Sequence, residues 1–119
     1  MDLITYALLN KKISNVKDTI DNLTIQDTEL PEAIGGVSTL EINTEYYLGT
    51  QTELNLAFPT SSASAGDWVF VCFIAGTDAI IELDNNCVGD VDAELETGKT
   101  YEFLVTYNGT NWVVSYLCY

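Results

Sequence analysis

The chain has no histidine and no arginine, and its four lysines, Lys11, Lys12, Lys17 and Lys99, stand against 18 acids, a net charge of −14 over 119 residues. Such a surface repels phosphate, and both nucleic-acid and anionic-membrane binding draw affinity from Lys and Arg, so neither partner is expected. Without histidine there is no imidazole to activate a Ser or Cys nucleophile. The three cysteines, Cys72, Cys87 and Cys118, have no CxxC spacing and read as free thiols of a protein that folds in a reducing cytosol. The one glycine pair, Gly35-Gly36, is followed by Val-Ser-Thr and no lysine, so no phosphate-binding loop is formed. No apolar run approaches the about 18 residues of a membrane helix. The start Met1-Asp2-Leu3-Ile4 has an acid where a signal peptide needs positive charge, so synthesis in a cytoplasm without an export signal is expected.

What the chain does have is apolar bulk: 47% hydrophobic residues, with seven Tyr, four Phe and two Trp, enough to bury a core. Its charge is uneven, with a net −3 over residues 1–35 and −11 over residues 36–119. The length fits one compact domain with an appendage.

The appendage comes first. Tyr6, Leu9, Ile13, Val16, Ile20 and Leu23 follow one another at spacings of 3, 4, 3, 4 and 3, the a/d rhythm of a helix that packs on copies of itself or on a partner. Asp2 is placed as an N-cap, and neither Gly nor Pro interrupts the run to Ile25. A helix this short is marginal alone and needs something to pack against. Two arrangements are open: a seam between chains, which makes the six residues an oligomer interface, or a helix lying across the rest of the same chain. The polar stretch 26–36, with Pro31 and Gly35-Gly36, reads as a linker and favours the first. Isoleucine at a with Val and Leu at d leaves dimer and trimer both open.

From residue 37 the period switches to two. Strands are expected at 39–43, 46–48, 53–58, 67–74, 79–83, 100–107 and 111–117, separated by turn clusters at 49–51, 59–66, 76–78, 84–86 and 97–99. Asn108-Gly109-Thr110-Asn111 joins the last two as a hairpin. Trp68 to Ile74 is apolar at every position, as in a central strand buried on both faces. The pattern predicts a mainly β protein, an antiparallel, jelly-roll-like β-sandwich at 37–119 preceded by an oligomerising helix at 1–25 and a linker at 26–36.

No catalytic, cofactor or metal site is expected. The acids alternate with apolar residues along strands or sit in turns, where solvated charge belongs, and no pair is marked for acid–base work. Asp84 to Asp92 offers several oxygen ligands for Ca²⁺ but lacks the EF-hand spacing, which favours a polar loop. The aromatics suited to stacking on a sugar ring are Tyr46, Tyr47 and Trp112, with Tyr107, Tyr116 and Tyr119 behind them.

Leu3-Ile4-Thr5-Tyr6-Ala7-Leu8-Leu9-Asn10-Lys11-Lys12-Ile13 resembles the start of small structural proteins of tailed bacteriophages, especially head-fibre and minor virion proteins. Glu45-Tyr46-Tyr47-Leu48-Gly49 through Leu54-Asn55-Leu56, Asp67-Trp68-Val69-Phe70-Val71, Gly98-Lys99-Thr100-Tyr101-Glu102-Phe103 and Tyr107-Asn108-Gly109-Thr110-Asn111-Trp112 are similar to the β domain that often ends such proteins. The resemblance implies a non-enzymatic virion component on the capsid surface: an N-terminal segment docking on the major capsid protein or a neighbour, a homo-oligomer, often a trimer, and a displayed β domain. A receptor- or carbohydrate-binding module of a tail or baseplate, reading a host-surface glycan, is the rival.

Overall fold

In the computed structural model, residues 26–119 are described, so the expected helix and its six seam residues lie outside the described residues. Seven strands follow in order: β1 (Gln26–Asp27), β2 (Ser38–Thr39), β3 (Thr44–Ala57), β4 (Trp68–Leu83), β5 (Cys87–Gly89), β6 (Thr100–Tyr107) and β7 (Trp112–Cys118). The mainly β expectation holds, and there is no helix among the described residues.

The pairing differs from that expected of an antiparallel sandwich. All seven strands belong to one mixed sheet, ordered β1-β3-β4-β6-β7-β5 with β2 also on β3. Only β4–β6 and β6–β7 are antiparallel; β1, β2 and β4 run parallel to β3, and β5 runs parallel to β7. The stretch expected as a linker contributes β1, and its Leu30 packs on the core. Gly35 and Gly36, both at positive φ, form the tip of a tight turn closed by two hydrogen bonds between Ile34 and Val37.

Curvature explains the parallel β3–β4 pair. A straight 16-residue strand would run about 50 Å, beyond what a ten-residue return can span. Both ends of β4 instead meet the β6–β7 turn: Trp68 lies opposite Thr106, while past Leu83 the Asn86 carbonyl accepts from the Trp112 amide. The returning segment is tied to the same place. Trp112 Nε1 donates to the Pro59 carbonyl at 2.8 Å, the Gly66 amide donates to the Tyr107 carbonyl, and the Phe58 ring lies tilted 5.5 Å from that of Trp112.

The bend is made where the sequence marks turns at 49–51 and 76–78. Neither reverses the chain; both are irregularities inside the long strands, with register shifts between Tyr47 and Thr50 and between Gln51 and Glu53. Gly49 and Asp78 sit at positive φ there, and a Cβ on Gly76 would come within 2.7 Å of the Thr52 methyl and 3.3 Å of the Gln51 carbonyl, so any larger residue at 76 would make the Thr52 side chain shift.

Inside the curl lies the core. Val69, Val71 and Phe73 of β4, Tyr101, Phe103 and Val105 of β6, and Trp112 and Val114 of β7 alternate inward with Tyr46, Leu54 and Leu56 of β3. An aromatic ladder runs across it: Phe73–Tyr101 at 5.7 Å, Phe73–Phe103 at 5.8 Å and Phe103–Tyr116 at 5.2 Å. The Tyr101 hydroxyl accepts from the Glu96 amide and donates to the Glu94 carbonyl, fixing the segment before β6 against the core.

Glycine is required most strongly at 89. It stands opposite Val114 at positive φ, and a Cβ there would meet the Val114 carbonyl oxygen at 2.6 Å, whereas one on Gly98, also at positive φ, would meet nothing. Gly98→Ala is therefore expected to cost about 1–2 kcal/mol, the backbone term alone, and Gly89→Ala clearly more, by displacing β5; paired denaturant titrations read the difference.

Candidate interaction surface

Two-sided burial of β4 leaves the sheet a second apolar face, outside the curl. Trp68, Phe70 and Cys72 alternate outward from β4, Leu104 from β6, Leu117 from β7 and Tyr47 from β3, and they form a cluster separate from the core. Two rows cross the strands: Glu45, Phe70, Leu104 and Ser115, then Tyr47, Cys72, Glu102 and Leu117. Phe70 is 1% exposed and Leu104 5%, as deep as the core, and the Tyr47 ring lies 5.9 Å from Phe70. Glu45 is wholly buried in the same face, and the Tyr47 hydroxyl donates to its carboxylate at 3.2 Å.

The three leading aromatic candidates separate. Tyr46 and Trp112 are 0% exposed and serve the fold: the Tyr46 hydroxyl accepts from the Glu41 amide, and Trp112 anchors Pro59. Neither faces solvent to meet a sugar. Tyr47 is half-buried in the outer face, while Tyr119 is exposed and donates to the Glu102 carboxylate at 3.1 Å.

The acids are structural or outward. Asp84, first in the 84–92 stretch expected as a polar loop, accepts from the Phe58 and Asn86 amides and from the Cys87 thiol, and Cys87–Gly89 continues as a strand. Asp67 accepts from the Ser64 amide and the Asn43 side chain, closing the crossover onto the start of β4. No group of three metal-ligating side chains converges among the described residues. Residues 26–119 hold fifteen of the acids and one lysine, net −14, so residues 1–25 are neutral overall. Lys99 pairs with Glu96 at 3.6 Å on the surface, a contact of little energetic weight.

A shallow groove of about 360 Å³ runs between the 30–38 segment and β3, lined by Leu30, Ala33, Ser38, Glu53 and Asn55. Its walls carry no clustered nucleophile, base or cation. A scan against protein-family models finds no match, and a search of curated proteins finds none. Fold and surface define a mainly β domain with one internal core, one outward apolar face and a strongly acidic remainder.

Burial of Cys87 has a pH consequence. Loss of hydration, and next the negative charge of Asp84, push its thiol from 9.0 up to about 12. The folded value lies above the unfolded one, so its contribution is complete below about pH 9 and is lost as pH rises toward 12. Tyr46 and Tyr101, both raised chiefly by burial, add to the same alkaline loss from about 10 upward. Denaturation midpoints should fall between about pH 8 and about pH 11, and less steeply in Cys87→Ala; equal slopes would remove Cys87 from the account.

Proposed function

We propose that the chain is a non-enzymatic structural protein of a tailed-phage particle, head-fibre-like, anchored to the capsid or a neighbouring virion protein through its N-terminal segment. It acts as a homo-oligomer and displays its acidic β domain outward. The observation that carries this reading is the division of the β domain: one apolar sheet face that is packed, and elsewhere a surface that carries most of the fifteen acids of residues 26–119 against one lysine. A part that is packed on one side and repels its own copies elsewhere suits dense display without aggregation. The resemblance of residues 3–13 and of the 45–112 stretches to head-fibre and minor virion proteins supports the same reading.

The glycan-binding rival loses its main residues, because Tyr46 and Trp112 are inside the core. The test is direct: peptides of this chain are expected at stoichiometric abundance in purified particles of a phage that encodes it, with immunogold against the β domain on the capsid. Purified particles free of the chain, or gold confined to the tail tip, would overturn the proposal.

A further inference from the structure

The outer edge of β3 is open in its middle. β1 pairs with it at Glu45 and Tyr46 and β2 at Leu56 and Ala57, both parallel, and between them Leu48 to Leu54 has no strand on that side among the described residues. Gly49, Thr50, Thr52 and Glu53 of this stretch are exposed. The connection from β1 to β2 does not close the gap: it packs Leu30 on the core and turns back on itself between Ile34 and Val37, and no backbone hydrogen bond joins residues 28–37 to Leu48–Leu54. The groove of about 360 Å³ is what this leaves, with Leu30, Glu53, Leu54 and Asn55 among its lining. The Asn55 Oδ1 is buried there without a hydrogen-bond donor among the described residues. Independently of the virion reading, we propose that this edge is a docking slot for an extended segment of a partner protein, added to the sheet beside β3, with Lys or Arg at alternate positions and small aliphatic residues between them.

Backbone, apolar surface and charge select the same occupant. A strand laid along Leu48–Leu54 takes up the alternate N–H and C=O groups that a sheet edge presents, and it completes the edge that β1 and β2 hold on either side. Its side chains then alternate between two surroundings. On the inner side they meet Leu54 and Leu30, while Ile34 and Val37, 86% and 38% exposed, stand at the turn beside the groove and offer further apolar contact. On the other side they meet Glu53, which points away from the core that Leu54 enters. Asp27, Glu29 and Glu32 of the flanking segment add to that charge, residues 26–57 hold no lysine, and Lys99 is engaged with Glu96. Proteins commonly guard an exposed edge with charge. Here the guard has one sign: it repels a second copy of a domain that carries −14 over residues 26–119, and it attracts a cationic strand.

Two end-capped peptides of about eight residues, a common strand length, make the test. One alternates lysine with valine; the other has the same charge and length with proline in place of each valine, so that it cannot pair as a strand. Each is titrated into the isotope-labelled full-length protein, and amide exchange is followed by NMR. The valine peptide is expected to bind and to slow exchange of amides within Leu48–Leu54 about tenfold or more, and the proline peptide to protect none of them. Glu53→Lys, at an exposed position, should weaken the valine peptide about fivefold while the Val69–Phe73 amides stay protected, and Glu32→Lys is the second variant if the first unfolds. Equal binding of the two peptides would reduce the effect to charge attraction and overturn the proposal. So would an unprotected Leu48–Leu54, or an affinity indifferent to both folded variants. Protection already present without peptide would also overturn it, assigning the edge to a second copy if it is lost on dilution and to residues 1–25 if it is not.

Discussion

Burial of β4 on both faces is the constraint from which the rest follows. A strand with Val69, Val71 and Phe73 on one side and Phe70 on the other cannot stand at an edge, and it is flanked by β3 and β6. Its length then dictates the curl. Sixteen residues paired along β3 enclose a core only if they bend, and the bend is bought with irregular backbone at Gly49 and at Gly76 to Asp78. Once β4 is curved, its two ends meet at the Tyr107–Trp112 turn, and a short crossover suffices to connect parallel partners.

The acids obey the same geometry. Those that the fold uses, Asp67 and Asp84, accept backbone amides at the two ends of the crossover and so hold the closure of the curl. Glu45 is buried in the outer face, where its carboxylate accepts from the Tyr47 hydroxyl, and most of the rest accumulate at the surface. With a single lysine in residues 26–119, this outer charge is hardly compensated within the β domain. It keeps domains apart, and it leaves the apolar outer face as the one surface on which packing, not repulsion, governs.

What the sequence made legible was local. The Asn108–Asn111 hairpin is present, with Asn108 accepting from the Thr110 and Asn111 amides, because such turn chemistry is complete within four residues. The two-sided strand was legible because unbroken hydrophobicity has few other meanings. Gly49-Thr50-Gln51 and Gly76-Thr77-Asp78 misled, since glycine and aspartate at positive φ serve a bulge as well as a turn, and only the partner strand decides. That choice divided two long strands into four short ones and with them suggested antiparallel neighbours. β5 was missed because three residues beside Asp84-Asn85-Asn86 pair with Trp112–Val114 through a contact that local pattern does not encode. Of the aromatic candidates, Tyr46 and Trp112 went inward because in-or-out on a strand depends on register, which one bulge reverses.

The most direct test of the central claim is native-state amide hydrogen exchange along β4. Amides of Val69 to Phe73, sealed between two apolar faces and two neighbouring strands, should exchange only through global unfolding. Amides from Asp78 to Glu82, where β4 has passed the end of its pairing with β6 and Ile80 is 58% exposed, should exchange by local opening at lower cost. Uniform protection along β4, or a slowest set outside Val69 to Phe73, would contradict the claim that this doubly buried stretch organises the fold.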